Sequence, residues 1–194
     1  MPDHDPARKP ALRRRLLAAR AAVSSVAQQQ AATGLSTQMT ALVGPHPRTV
    51  CAYVSTAGEP PTGRVLEQLV RAGHQVLLPV LLPDLDLDWA PWEPGTSLLP
   101  GRYGLLEPPG PRLGSAAPAA ADVVMCPGLA GSPAGARLGR GGGSYDRALA
   151  RTTDTVLRVL LLHDAEILDD VPTDPHDQPV HVLVTPRRTV WCHA

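Results

Sequence analysis

Four glycines crowd into the segment 139–143, and Arg137 and Arg140 accompany them. Because glycine lacks a Cβ atom, such a segment can curl and bring several backbone N–H groups close to one anion. The two guanidinium groups would add positive charge and forked hydrogen-bond donors. Asp146 follows shortly afterwards, and its carboxylate is the kind of ligand that a phosphate-bound Mg²⁺ accepts. The segment therefore predicts a binding site for a polyphosphate.

Two familiar glycine motifs do not account for this segment. A Walker A loop ends in Gly-Lys-Ser/Thr, whereas Gly143 is followed by Ser144 and Tyr145. The dinucleotide fingerprint G-x-G-x-x-G, begun at Gly139 and Gly141, would require a glycine at position 144. From the residues alone, a flexible surface hairpin rich in glycine and arginine remains an alternative.

The pattern of apolar residues places the glycine segment between a strand and a helix. An apolar stripe with steps of three and four residues predicts an amphipathic helix over 10–30, with Pro10 in its first turn. Residues 108–121 are expected to form a mobile connector. Alternation of the elements predicts an α/β fold, a three-layer α/β/α sandwich with a mainly parallel central sheet. The other predicted elements are helices over 60–72 and 144–151 and strands over 49–54, 75–80, 123–126, 155–162 and 180–184.

Composition narrows the class of protein. Lysine plus arginine and aspartate plus glutamate each number 18, so the formal net charge is zero. A nucleic-acid or membrane surface would show a basic excess, so neither partner is expected. Three scattered cysteines fit a reducing cytoplasm better than a disulfide framework. We expect one cytoplasmic domain over 1–194 that acts as a monomer on small molecules.

Several motifs in the same order resemble one enzyme family. The segment 127–147 is similar to P-G-L-A-F-D-x-x-G-x-R-L-G-x-G-x-G-Y-Y-D-R, the signature of the 5-formyltetrahydrofolate cyclo-ligases (5,10-methenyltetrahydrofolate synthetases). Lys9, Leu12 and Arg13 resemble the family's N-terminal K-x-x-L-R. The remaining matches are Glu59 after a strand, Leu78-Pro79, the segment 103–108, Val171-Pro172, His176-Asp177 and Val184-Thr185.

The resemblance implies a reaction and a set of site residues. The family converts 5-formyltetrahydrofolate to 5,10-methenyltetrahydrofolate while ATP becomes ADP and phosphate. The formyl oxygen is phosphorylated and N10 then attacks. By this resemblance Arg137 and Arg140 are catalytic, and Asp146 and Asp177 hold Mg²⁺. The implied ATP-binding residues are Lys9, Arg13, Arg137, Gly139, Gly141, Gly142, Gly143, Tyr145 and Asp146. The implied folate-binding residues are Val54, Glu59, Arg140, Gly141, Gly142, Gly143 and Ser144.

The chain departs from the family pattern at two places. Gly131-Ser132 stands where the family usually has Phe-Asp, and Ser144 stands where it usually has a first tyrosine. Phenylalanine is absent, so Tyr103, Tyr145 or Trp92 would have to cover the pterin ring. Two rival functions remain open at this point: an ATP-using enzyme with another substrate, and a non-catalytic protein that binds folate or nucleotide. The sequence does not decide whether His163 and His176 lie in the pocket.

Overall fold

The computed structural model describes residues 7–193. Its helices are α1 (Arg8–Ala21), α2 (Ser25–Val43), α3 (Gly63–Arg71) and α4 (Ser144–Ala150). Short 3₁₀ turns lie at Arg102–Gly104, Ala117–Ala120 and Asp164–Glu166. The strands are β1 (Thr49–Cys51), β2 (Gln75–Leu81), β3 (Leu87–Trp92), β4 (Leu99–Pro100), β5 (Leu106–Glu107), β6 (Val123–Pro127), β7 (Ala130–Gly131), β8 (Arg137–Leu138), β9 (Leu157–Leu161), β10 (Val182–Val184) and β11 (Thr189–Trp191).

A seven-stranded sheet forms the centre, in the order β11-β10-β9-β6-β1-β2-β3. The five inner strands are parallel, and the edge strands β3 and β11 are antiparallel to their neighbours. Both faces of the inner strands are buried, which is why their sequences are continuous apolar runs. This confirms the predicted α/β fold with a mainly parallel sheet.

Two apolar layers cover the sheet. Val123 and Met125 of β6 face one layer, which contains the apolar sides of α2 and α3. Val124 and Cys126 face the other layer, where α4 packs. Because side chains of a strand alternate between faces, one short strand supplies both layers. None of the helices between residues 7 and 193 is both long and apolar enough to cross a membrane.

Several predicted boundaries were wrong. The single helix predicted over 10–30 is broken after Ala21, because the Ser24 hydroxyl accepts a hydrogen bond from the Ala27 N–H (3.2 Å) and so begins a second helix. The strand β11 was missed. The expected mobile connector over 108–121 is hydrogen-bonded along β3, where the Gly114 N–H donates to Asp88 Oδ1 at 2.7 Å.

Strand β1 is shorter than predicted, with consequences for the site. It pairs with β2 and β6 only as far as Cys51, and the chain then leaves the sheet at its carboxyl edge. Tyr53 and Val54 therefore follow the strand into the space where β6 also ends. Crevices at the carboxyl ends of parallel strands are the usual place for ligands in open α/β sheets.

Candidate active site

The glycine loop connects β8 to α4 at the carboxyl edge of the sheet. Gly141 and Gly143 have φ angles of +104° and +69°, a region that strains residues with a Cβ atom. A Cβ atom at position 141 would also lie 3.5 Å from Cζ of Arg13. The positive φ angles therefore favour glycine at these two positions, whereas the contact with Arg13 would be an ordinary van der Waals distance.

Two cavities meet at this loop. The first, here called the polar cavity, has a volume of about 770 Å³ and is lined by charged residues of α1 and of the 170–177 loop. The second, the apolar cavity, has a volume of about 540 Å³ and is lined by residues that follow β1 and by the 103–106 segment. The residues that line both cavities are Arg137, Gly139, Gly141, Gly143 and Asp146. A ligand in one cavity would thus be separated from a ligand in the other only by this wall.

Lys9 is the central cation of the polar cavity. Its ammonium group donates to Asp174 Oδ2 at 2.6 Å and also to Asp177. Burial acts to lower the pKa of Lys9, but the hydrogen bonds to the two carboxylates outweigh burial and raise it above its ordinary value. Asp177 also accepts from the Asp174 N–H at 2.7 Å. Asp177 is therefore both a turn residue and a member of the cavity.

Arg13 and Gln178 join the polar cavity to the glycine loop. Arg13 Nε donates to the carbonyl oxygen of Gly139 at 2.9 Å, so α1 is held against the loop. The Gln178 N–H donates to Asp146 Oδ1 at 3.2 Å. This contact brings the segment that carries Asp177 next to Asp146.

Arg137 is a buried cation in the wall between the cavities. Its side chain is 4% exposed and forms an ion pair with Asp146, whose side chain is 18% exposed. Arg137 also donates to the carbonyl oxygen of Pro127 at 3.3 Å. A buried guanidinium with a carboxylate partner keeps its charge where water is excluded, and such a charge interacts strongly with anions.

Glu59 is the buried carboxylate of the apolar cavity. It accepts from the Thr56 N–H at 2.7 Å, and Arg140 lies 3.2 Å from its other oxygen. Tyr53 also lines this cavity, and its hydroxyl is buried with no hydrogen-bond partner within residues 7–193. Burial, and then the charge of Glu59, raise the pKa of Tyr53 well above its usual value. The cavity thus offers a carboxylate acceptor inside a mainly apolar wall, a combination that is usual in small-molecule pockets.

The structure divides the predicted site residues between the two cavities. The predicted ATP ligands that line the polar cavity are Lys9, Arg13, Arg137, Gly139, Gly141, Gly143 and Asp146, together with the predicted metal ligand Asp177. The predicted folate ligands Val54, Glu59, Arg140, Gly141, Gly142, Gly143 and Ser144 all line the apolar cavity.

Two predicted ATP ligands lie elsewhere. Tyr145 and Gly142 line the apolar cavity and not the polar one. Tyr145 also packs on the core, and its buried hydroxyl has no partner in the described chain. Burial is the main cause that raises the pKa of Tyr145. The direction of a side chain at the start of α4 depends on the turn made by Gly143, which the sequence pattern does not specify.

The two departures from the family pattern lie in different environments. At Gly131 a Cβ atom would be 2.8 Å from methyl carbons of Leu160 and Leu183, so leucines fill the space beside the backbone. Position 131 belongs to the core and not to a cavity. Ser144, by contrast, lines the apolar cavity. Trp92 does not line it, so Tyr103 and Tyr145 are the proposed aromatic covers that the structure places there.

The structure locates the two histidines that the sequence left undecided and adds cavity residues that the sequence pattern did not indicate. His176 lines the polar cavity with its side chain 74% exposed, whereas His163 lines neither cavity. Asp174 was missed, although its spacing of three residues from Asp177 suits one turn. Possible metal-ligating atoms of Asp174, His176 and Asp177 lie within 4.8 Å of one another. Tyr53 was also missed, because a tyrosine in an apolar run is usually a core residue.

The sequence is similar to those of one known enzyme family. The sequence profile of the 5-formyltetrahydrofolate cyclo-ligase family matches residues 5–186. The chain belongs to this family. It is 42% identical over 148 residues to the 5-formyltetrahydrofolate cyclo-ligase of Mycolicibacterium smegmatis, covering 74% of this chain and 76% of that protein. It is 34% identical over 174 residues to the enzyme of the same name from Escherichia coli, covering 84% and 89%.

Solved structures of two 5,10-methenyltetrahydrofolate synthetases share the fold. The Aquifex aeolicus protein superposes with a TM-score of 0.82 at 25% identity, covering 96% of this chain and 93% of that chain. The Mycoplasma pneumoniae protein superposes with a TM-score of 0.73 at 19% identity, covering 92% and 98%. Membership of this family makes the protein an enzyme of the ligase class, acting in folate chemistry.

Proposed function

We propose that this cyclo-ligase family member couples ATP hydrolysis to the ring closure of 5-formyltetrahydrofolate, with ATP phosphates in the polar cavity and the pterin in the apolar cavity. The observation that carries the proposal is the wall shared by the two cavities. Arg137 and the glycine loop face both sides, so the terminal phosphate and the formyl group could meet there.

The reaction follows from the weakness of the formamide as an electrophile. Amide resonance makes the formyl oxygen a poor leaving group. Transfer of the terminal phosphoryl group breaks its bond to ADP and forms a bond to the formyl oxygen. N10 then attacks the formyl carbon, the carbon–oxygen bond breaks, phosphate departs, and N10 loses its proton. This sequence mainly asks the protein to position two substrates and to neutralise charge.

The arginines and Glu59 have distinct proposed roles. Arg137, buried in the wall, would stabilise the charge on the phosphoryl group during transfer. Arg140 is half exposed, forms an ion pair with Glu59 and lines the apolar cavity, so its proposed contact is with folate. Glu59 would accept hydrogen bonds from N–H groups of the pterin, because a buried carboxylate with a free lone pair prefers such donors.

The carboxylates of the polar cavity fit the Mg²⁺ that usually accompanies ATP. Asp146 and Asp177 supply oxygen ligands next to the loop, and each is now paired with a protein cation, Arg137 and Lys9 respectively. Bound Mg²⁺ would neutralise phosphate charge. Lys9 and Arg13 would contribute the remaining positive charge to the phosphates. We also propose that the protein is a single-domain monomer located in the cytoplasm. Its three free cysteines support the cytoplasmic location.

One pair of assays separates this function from its rivals. Purified protein is mixed with MgATP, with and without 5-formyltetrahydrofolate, and both methenyl absorbance and ADP are recorded. A cyclo-ligase forms both products in equal amounts, and only with folate present. ADP release that ignores folate would indicate another ATP-using enzyme. Binding of folate or nucleotide without either product would indicate a non-catalytic protein and refute the proposal.

A further inference from the structure

The backbone just before Glu59 makes a tight turn. The Glu59 N–H donates to the Thr56 carbonyl oxygen at 3.0 Å, and Gly58 has a φ angle of +80°. A Cβ atom at Gly58 would lie 3.3 Å from Cβ of Arg20, so α1 packs directly against this turn. The direction of the Glu59 carboxylate therefore depends on how the peptide unit between Gly58 and Glu59 is oriented.

His163 holds the other end of that peptide unit. Its Nε2 atom lies 3.1 Å from the carbonyl oxygen of Gly58. A carbonyl oxygen can only accept, so Nε2 carries the hydrogen in this contact. The peptide unit is thus held on both sides, with its oxygen bound by His163 and its N–H bound by Thr56. Such a unit cannot rotate without breaking a hydrogen bond.

His163 is itself held by a buried ion pair. Glu166 accepts from the backbone N–H of His163 at 2.8 Å. The same carboxylate binds Arg20 through two contacts of 2.7 and 2.8 Å, and both side chains are about 5% exposed. Arg20 also donates to the carbonyl oxygen of Gly128 at 2.6 Å, and Gly128 lines the apolar cavity.

We infer that His163 is a positioning residue for folate, acting through the Gly58–Glu59 peptide unit and supported by the Arg20–Glu166 pair. The inference rests on the proposed function, because it assigns the apolar cavity to folate. His163, Glu166 and Arg20 line neither cavity, so their effect passes through the backbone at Gly58 and Gly128. Gly128 lines the apolar cavity and Gly58 directly precedes its carboxylate Glu59, so ATP binding should be almost independent of His163.

Two replacements of His163 distinguish the hydrogen bond from the space it fills. In His163→Gln the amide nitrogen stands about where Nε2 stood and can still donate to Gly58. In His163→Asn the amide nitrogen stands where Nδ1 stood and falls short. Asp164→Asn is a control in the same 3₁₀ turn, because Asp164 accepts from the Thr185 hydroxyl at 2.7 Å and lines neither cavity.

The assay measures KM for folate, KM for ATP and kcat for methenyl formation, together with the thermal midpoint of each variant. We expect His163→Asn to raise KM for folate about threefold to tenfold, the value of one ordinary hydrogen bond. KM for ATP should stay unchanged, and His163→Gln should restore KM for folate to near the wild-type value. The Asp164→Asn control should change neither constant.

The outcomes separate this inference from the proposed function. A wild-type protein that forms no methenyl product refutes both. If wild type is active and the Gln and Asn variants have the same KM for folate, only the role of His163 is refuted. Equal changes in both KM values, in step with a lower thermal midpoint, would also overturn it, because they would show a general loss of structure.

Discussion

Removal of Asp146 should destabilise the protein as well as impair catalysis, because its partner Arg137 is buried. The Arg137 side chain is 4% exposed and the Asp146 side chain 18%. Truncating one partner of a buried ion pair leaves an uncompensated charge and typically costs about 3–5 kcal/mol. Arg137 keeps a contact to Pro127 O at 3.3 Å, so we expect Asp146→Ala to cost about 3 kcal/mol, toward the low end of this range.

Urea denaturation measures this cost, and thermal denaturation should show a midpoint lowered by about 6–12 °C, given the size of the chain. The double variant Arg137→Met/Asp146→Ala should recover much of the lost stability, because it removes the charge that the single variant leaves buried. Both variants should lose activity, so stability and catalysis are separated by this comparison.

A matched control comes from the exposed ion pair of α3. Glu67 and Arg71 have side chains 49% and 63% exposed and are 3.2 Å apart. Water and salt screen such a pair, so Glu67→Ala should cost less than about 1 kcal/mol. If Asp146→Ala unfolds at the same urea concentration as Glu67→Ala, or if the double variant is less stable than Asp146→Ala alone, the buried-pair argument is wrong.

Three further predictions follow from other contacts. Ser144→Tyr adds an aromatic ring to the apolar cavity. KM for folate should fall about fivefold or more, because stacking contributes about 1–3 kcal/mol, and KM for ATP should stay the same. Loss of activity in steady-state kinetics would contradict this prediction. Gly131→Ala should lower stability in urea by about 1–3 kcal/mol, because its Cβ atom would lie 2.8 Å from two leucine methyl carbons; an unchanged midpoint would show that the leucines rearrange freely. Burial lowers the pKa of Lys9, but the hydrogen bonds to Asp174 and Asp177 outweigh burial and raise this pKa above its ordinary value of 10.5. The protonated Lys9 should therefore stabilise the fold fully below pH 10.5, and this stabilisation should be lost as pH rises through the raised pKa. In urea denaturation, the stability advantage of wild type over Lys9→Met should shrink only above pH 10.5.

Sequence alone determined the features that depend on local pattern. Continuous apolar runs separated by turn residues predicted the parallel sheet, because strands buried on both faces need apolar residues throughout. The glycine loop and its arginines predicted an anion site, because glycine lacks a Cβ atom and lets several backbone N–H groups approach one anion. The positive φ angles at Gly141 and Gly143 are ones that glycine adopts readily. The family resemblance, carried by motifs in a fixed order, was confirmed by the family profile over residues 5–186.

The tertiary structure decided which residues face each other across the site. Tyr145 lines the apolar cavity and not the polar one, and Lys9 pairs with Asp174 and Asp177 from the far end of the chain. His163 Nε2 lies 3.1 Å from the carbonyl oxygen of Gly58, the residue before Glu59. The contacts of Lys9 and His163 join residues that are more than a hundred positions apart in the sequence. The direction of the Tyr145 side chain is set by the single turn before α4. Residue type and spacing limit what each segment can do, but the packing of distant segments determines which atoms come within hydrogen-bonding distance.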